Sequence, residues 1–116
     1  MSTSNNHVIG LEQAMTLTRR FQKNRAASLP VSETFDARQV NTLLSAEQCA
    51  ALRVYLGEQE SGDICMVLIA VNSAGEDILP VVEPEGEAST DQPPVILEDG
   101  LRCPPNCPTF SPLVDS

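Results

Sequence analysis

Two of the four cysteines lie in the motif with the clearest potential for chemistry, CPPNC at residues 103–107. In an extended polyproline helix the Cα atoms of Cys103 and Cys107 would lie about 12 Å apart, at roughly 3.1 Å per residue. A disulfide needs these two atoms within about 7 Å of each other. A turn with Pro105 and Asn106 at its centre would bring them together, so the spacing permits a bond without requiring one.

Three states of this cysteine pair are open from the sequence: free thiols, a disulfide and a shared metal ion. Thiols stay mostly free in a reducing compartment, and we favour a structural tail with free thiols. Zinc prefers four ligands, so Cys49, His7 or an acidic side chain would have to complete its shell. The sequence therefore assigns no metal site, and Cys103, Cys107 and Cys49 are the residues to examine for one.

The other reactive side chains form no catalytic set. Cys65 lies in an apolar run, where a free cysteine behaves as a small hydrophobic residue, and the single histidine, His7, lies in a polar leader. Glu76 and Asp77 are adjacent carboxylates on a predicted turn, and we expect them to be solvated. The sequence carries no phosphate-binding, dinucleotide-binding or zinc-protease motif. We therefore predict no catalytic residue and no cofactor.

Arg53 and Tyr55 are the first candidates for recognition of a partner. They alternate with apolar residues in one predicted strand and so share a sheet face, and both residue types are frequent in binding hot spots. The alternative is that Tyr55 packs under the first helix while Arg53 pairs with a carboxylate. Phe110 is the third candidate interaction residue. We expect it to be buried by a tail that lies extended on the domain and holds its two thiols near the surface.

These candidates must be positioned by helices in the first half of the chain. A helix is predicted from about residue 8 to residue 25, because apolar residues recur there at spacings of three and four. The residues that fall on this face are Val8, Leu11, Ala14, Met15, Thr18 and Phe21. A second helix is predicted from Ala37 to about Leu44, with Asp36 and Gln39 at the spacing of a capping box. A short further turn is predicted at 46–48.

The second half of the chain has the patterns of strands. Alternating apolar residues predict a strand at 52–56, with Leu52, Val54 and Leu56 facing the core. The apolar run at 64–71 predicts a central strand that is covered on both faces. After a turn at 72–75, a strand is predicted at 78–82, where Pro80 indicates a sheet edge, and a short fourth strand at 95–97.

The resulting fold class is α+β, with two or three N-terminal helices packed on a small antiparallel sheet of three to four strands. We divide the chain into a flexible leader (1–6), a single domain (7–100) that contains an acidic loop (83–94), and a Pro/Cys-rich tail (101–116). The loop sequence is acidic and proline-rich and cannot bury much apolar surface, so we expect it to be mobile.

Charge is distributed unevenly along the chain. The net charge is −9, and the second half carries almost all of the excess acid, with no Lys or Arg between Arg53 and Arg102. Phosphate groups and anionic membrane surfaces attract basic residues, so we expect neither nucleic acid nor a membrane as a partner. The start of the chain lacks the features of a signal peptide, and we expect a cytoplasmic protein.

Three runs of the sequence resemble a known group: CAALRVYLG at 49–57, MVLIAVNSAGED at 66–77 and EDGLRCPPNCP at 98–108, with SPL at 111–113. Together they are similar to small bacterial proteins that share a C-terminal CPPxC motif and have no known activity. The similarity covers about residues 36–113. Members of that group often have Gly after the first cysteine, where this chain has Ala50. The resemblance implies a shared α+β fold and implies no activity.

The function that these observations favour is a non-enzymatic protein-interaction or structural module, including a homodimer formed through an exposed strand edge. One alternative is a thiol-redox or zinc-binding protein that uses Cys103 and Cys107. A small enzyme is a further alternative, although no acid, base and nucleophile can be named for it.

Overall fold

A computed structural model describes residues 6–80 and 93–114 of the chain. It contains two helices, α1 (Leu11–Asn24) and α2 (Ala37–Leu44). Its strands are β1 (Ser32–Thr34), β2 (Ala51–Glu58), β3 (Ile64–Val71), β4 (Asp77–Ile78) and β5 (Leu101–Cys103). The protein is therefore a small α+β fold. Within the described part neither helix is long and apolar enough to cross a membrane.

The strands form two antiparallel sheets. In the larger sheet the strand order is β2-β3-β4, and β2 and β3 are joined by a loop at 59–63 and pair along their whole length, from Ala51 opposite Val71 to Glu58 opposite Ile64. Leu97 extends the β4 side of β3 through an isolated bridge to Leu68. The predicted fourth strand is thus reduced to one bridging residue. Of the third, predicted at 78–82, the described residues form only Asp77–Ile78, and residues 81 and 82 lie outside the described part. The acidic loop falls, for residues 83–92, outside the described residues.

The core lies where α2 packs on β3. Leu43, the one buried residue of α2, joins Ala46, Leu68, Ala70 and Val95 in a buried cluster. β3 is also buried on its opposite face, at positions such as Ile69 and Val71, which confirms the central strand expected from its unbroken apolar run.

Asp36 is the residue before α2, as predicted, but its carboxylate makes no capping hydrogen bond. The side chain lines a surface pocket instead of folding back over the helix. One half of a capping box is instead present at α1. There the N–H of Gly10, the N-cap residue, donates to Oε1 of Gln13 at 2.9 Å. The short further turn predicted at 46–48 is present as a turn at 45–48 that does not form a third helix.

The position of α1 differs from the expectation of a helix packed on the sheet. None of its residues is buried, and Leu11, Leu17 and Phe21 on it are all exposed. A side-chain bond from Gln22 Nε2 to the backbone oxygen of Leu113 (2.8 Å) ties the helix to the C-terminal segment. The helical period was correctly read from the sequence, but an amphipathic pattern does not say which surface, if any, its apolar face covers.

The second sheet pairs β1 with β5, two strands that the sequence did not predict. Ser32 lies opposite Cys103, and Thr34 opposite Leu101. Across this pair Arg102 Nη1 contacts Glu33 Oε2 at 3.3 Å, and Arg102 also donates to the backbone oxygens of Ile64 and Ser28. Arg102 therefore joins the small sheet to the start of β3.

Candidate interaction surface

The outer edge of β2 is unpaired within the described residues, because β2 ends the strand order of its sheet. The hydrogen bonds of β3 show which β2 residues face outward. Leu68 exchanges both main-chain bonds with Leu97 (2.8 and 3.2 Å), so the N–H and C=O of Leu68 point away from β2. Its cross-strand neighbour Val54 then forms a non-hydrogen-bonded pair with it. The main-chain groups of Val54 therefore point to the open edge.

The same alternation applies along the whole strand. The N–H of Gln59 donates to the oxygen of Asp63 at 2.9 Å, which places the odd-numbered positions on the side of β3. Leu52 and Leu56 accordingly share the outward orientation of Val54, because main-chain groups alternate sides along a strand. Three alternate residues, all of them apolar, thus present hydrogen-bonding groups at the edge.

The side chains of these residues form an apolar stripe, defined here as Leu52, Val54 and Leu56. They lie on the sheet face of the core cluster, opposite Ala70, Leu68 and Met66. The face was predicted correctly but the burial was not, since the three side chains remain 44%, 49% and 72% exposed. α2 packs on β3, and the stripe lies beside the core cluster rather than within it.

Arg53 and Tyr55 lie on the other face of β2, and the structure brings both to Asp77. Arg53 Nη1 contacts Asp77 Oδ1 at 2.6 Å, and the Tyr55 hydroxyl donates to Asp77 Oδ2 at 2.5 Å. Arg53 Nη2 also donates to the oxygen of Gly75 at 3.3 Å. Hydrogen bonds with Tyr55 and with Asp77 raise the pKa of the Arg53 guanidinium.

This geometry gives Arg53 a structural partner, which was the alternative considered for it. The Asp77 carboxylate accepts from both side chains and fixes them over the turn at 72–75. That turn is held by Asn72, whose Oδ1 accepts from the N–H groups of Ala74 and Glu76 at 2.9 and 3.0 Å. Asp77 thus holds Arg53 and Tyr55 in one orientation for any partner that binds this face. Their role in recognition remains a prediction.

Cys103 and Cys107 form a disulfide, with their Cα atoms 4.6 Å apart. The free thiols that we favoured are therefore not present. A tight turn brings the pair together, in which the N–H of Asn106 donates to the oxygen of Arg102 at 2.7 Å. Cys103 is fully buried on β5, so one sulfur belongs to the interior rather than to the surface position expected for it.

The remaining candidates are dispersed. Phe110 is 93% exposed, which overturns its expected burial. Cys49 is a free thiol packed against the core cluster, and Cys65 is free and buried, as expected for a small apolar residue. His7 lies in the exposed stretch before α1. No group of three or more His, Cys, Asp or Glu side chains within 6–80 and 93–114 is placed to hold a metal ion.

A shallow pocket of about 440 Å³ lies between the start of α2 and the segment before β5. Its acidic residues are Asp36, Glu98 and Asp99, and its large apolar residues are Phe35, Leu97 and Leu101. None of the residues that line this pocket is Lys, Arg or His, and we assign no reaction to it.

Three structurally central residues were not identified from the sequence. Asp77 was read as a solvated carboxylate, whereas it anchors Arg53 and Tyr55. Glu33 and Arg102 form a largely buried ion pair across two strands that were not predicted. The isolation of Arg102 as the single basic residue in the acidic half of the chain was the one available signal that it has a specific partner.

The comparisons with known proteins add no identity: no family model, curated protein or solved structure matches this chain.

Proposed function

We propose that the protein is a non-enzymatic interaction module that binds a protein partner by strand addition at the outer edge of β2. The observation that carries the proposal is the combination, in one strand, of an exposed apolar stripe and an edge that pairs with no other described strand. A strand with free N–H and C=O groups is a template for pairing with another chain, and the pockets or stripes beside it supply specificity.

The length and composition of β2 strengthen this proposal. Proteins commonly protect edge strands with prolines, bulges, lysines or very short length. β2 has eight residues, none of them Pro or Lys, and it pairs with β3 without an interruption in register. An edge of this kind is suited to a partner strand.

A matched set of variants tests the proposal in cells of the source organism. Val54→Pro removes an outward N–H and leaves the ladder to β3 intact, because proline is tolerated where the N–H faces solvent. Leu17→Lys on the exposed side of α1 is the control for a general loss of surface apolarity. We expect partners that co-purify with the parent protein to be lost with Val54→Pro and kept with Leu17→Lys. Retention of every partner by Val54→Pro would exclude the β2 edge.

A second candidate function, thiol–disulfide exchange at Cys103 and Cys107, is favoured by the disulfide itself and by the exposure of Cys107. Zinc binding at the same two cysteines is less favoured than thiol–disulfide exchange, because sulfurs bonded to each other are not thiolate ligands. Attack by a thiolate on Cys107 would release the thiolate of Cys103 in a fully buried position, where the charged form is disfavoured. We therefore propose a structural role for the bond. Titration in glutathione buffers tests this, with a reduction potential below about −300 mV expected for a structural disulfide.

Residence in the cytoplasm is also a proposal. It requires that the disulfide survive a reducing environment, in which most protein thiols stay reduced. The same titration tests this proposal. If the reduction potential of the Cys103–Cys107 disulfide lies above that of the cellular glutathione pool, the pool would reduce the bond, and the oxidised protein would belong in an oxidising compartment.

A further inference from the structure

We infer that the strand added to β2 is β2 of a second copy of this chain, paired antiparallel with Val54 on the two-fold axis. The inference rests on the proposed function and deepens it, since it names the partner and the register. It follows from three properties of β2: the direction of its outward main-chain groups, the order of its side chains and the position of its charges.

Main-chain direction limits the registers that a symmetric pair can adopt. The outward groups belong to Leu52, Val54 and Leu56, and they can bond only to outward groups of the second strand. In an antiparallel pair of identical strands this condition places the two-fold axis at a residue, not between two residues. Near the middle of β2 the axis can therefore pass through position 53, 54 or 55.

Charge excludes the first of these registers. An axis at position 53 places Arg53 directly opposite Arg53 of the second copy, and like charges in that arrangement are destabilising. An axis at position 55 places Glu58 opposite Leu52 of the second copy. It also leaves Arg53 opposite Gly57, which offers no side chain to pack against.

An axis at Val54 gives the large side chains of β2 complementary neighbours. Val54 faces itself, and Leu52 faces Leu56 of the second copy, so the exposed apolar stripe of each copy is paired with the stripe of the other. Arg53 lies opposite Tyr55 of the second copy on the opposite face, so this register does not set two like charges directly against each other. Glu58 lies beyond the paired segment. The surface is thus complementary to itself in one register.

The resulting assembly would be one continuous sheet of two three-stranded halves. A two-fold axis perpendicular to the sheet keeps the stripes of both copies on one face, the face that carries the core cluster of Leu43, Leu68 and Val95. Each facing pair of outward residues exchanges two main-chain hydrogen bonds. The axis at Val54 also closes the assembly at two copies. The outer edge of β2 in each copy is covered by β2 of the other, so neither β2 edge is left for a third copy.

The first test is the oligomeric state of the purified full-length chain by sedimentation equilibrium. We expect the parent protein to dimerise and Val54→Pro to raise the dimer dissociation constant by about tenfold or more, since it removes the bond that each Val54 donates. Val54→Lys should act in the same direction by placing two ammonium groups at the axis. Phe110→Ser is the control and should leave the dimer unchanged. Circular dichroism establishes that each variant is folded.

The second test reads the register. Arg53→Cys and Tyr55→Cys chains are mixed, oxidised gently and digested, and disulfide-linked peptides are identified by mass spectrometry in a Cys49→Ser background. An axis at Val54 puts position 53 of one copy directly opposite position 55 of the other, with Cα atoms about 4.5 Å apart, within the range for a disulfide. We expect the mixed 53–55 link to exceed the 53–53 and 55–55 links.

The outcomes separate this inference from the function on which it rests. A monomer at high micromolar concentration overturns the second copy as the partner, while the loss of cellular partners from Val54→Pro would still support strand addition. A dimer that neither Val54 variant weakens overturns the β2 interface. A dominant 55–55 link overturns the register and places the axis at Tyr55.

Discussion

Individual residues in this protein are constrained where two segments approach each other closely. Gly100 lies just before β5 and faces the ring of Phe35, the residue that precedes the N-cap of α2. A Cβ atom at position 100 would lie 2.7 Å from Cε1 of Phe35 and 3.2 Å from Cβ of Glu33. Carbon atoms do not approach to the first of these distances, so glycine is required here by space rather than by backbone conformation.

Gly100→Ala should therefore destabilise the protein. We expect a loss of about 1–3 kcal/mol in the free energy of unfolding, the usual cost of forcing one additional methyl group into a packed site. Urea denaturation provides the measurement. Gly10→Ala is the matched control, because the nearest atom to its added Cβ is a flexible Gln13 oxygen at 3.8 Å. Equal midpoints for the two variants would show that Phe35 moves aside at little cost.

Two adjacent leucines of α2 offer a second test at this scale. Leu43 is completely buried in the core cluster, whereas Leu44 is 42% exposed. Leu43→Ala should lower the free energy of unfolding by about 2–5 kcal/mol, since it removes buried carbon atoms and leaves a cavity. Leu44→Ala should cost clearly less, because solvent already contacts its side chain. A reversed order in thermal unfolding would mean that α2 is rotated relative to the arrangement described above.

At the scale of the elements, Arg102 joins the small sheet to the larger one. Its guanidinium pairs with Glu33 of β1 and donates to the backbone oxygen of Ile64 at the start of β3. The Glu33 side chain is 1% exposed and its Oε1 has no hydrogen-bond partner among the described residues. Arg102 is therefore the main compensation for a buried carboxylate.

Removing this compensation should weaken both sheets together. We expect Arg102→Met to lower the free energy of unfolding by about 3 kcal/mol or more, the range for a buried charge left without its partner. Glu33→Gln should cost less, because Arg102 keeps its two backbone acceptors. The double variant should recover part of the loss, which a double-mutant cycle measures. Additive effects of the two changes would show that the two side chains are not coupled.

The sequence predicted elements well where the signal was local and long. β3 was placed at 64–71 with both faces covered, since eight apolar residues between turn signals allow few alternatives. α2 was placed from Ala37 to Leu44 by its capping spacing. β1 and β5 have three residues each, too few for a period, and their pairing joins distant parts of the chain. No local pattern could have predicted that pairing or the burial of Glu33.

The candidate surface was predicted in part. The alternation of apolar and polar residues along the strand assigned Arg53 and Tyr55 to one face of β2 and the apolar stripe to the other. It could not show that the stripe would stay exposed while α2 packs on β3. The residues of CPPNC left the state of the two cysteines open, because one sequence fits both an extended chain and a tight turn. Phe110 was misplaced because apolar character was taken as evidence of docking.

At the scale of the whole molecule, the disulfide makes stability depend on redox conditions. It closes the short loop from Cys103 to Cys107, whereas Cys49 and Cys65 are free thiols that a reductant leaves unchanged. Dithiothreitol should thus lower the free energy of unfolding by about 2 kcal/mol, the loop-entropy value for a ring of this size. Cys107→Ser should reproduce the effect without reductant. Cys103→Ser should cost more, because it also places a hydroxyl in the buried site. Unchanged melting with dithiothreitol would contradict a stabilising bond.

The separation of β1 from β5 along the chain sets an order for folding. β2 and β3 are connected through residues 59–63, whereas Glu33 and Arg102 are 69 residues apart. Closing a loop roughly ten times longer costs about 2 kcal/mol more, since each doubling of length adds about 0.6 kcal/mol. The β2–β3 hairpin should therefore form early and the β1–β5 pair late. Interactions that are absent from the transition state act mainly on the unfolding rate. The ion pair between Glu33 and Arg102 would therefore set how long the native state persists rather than how quickly it is reached.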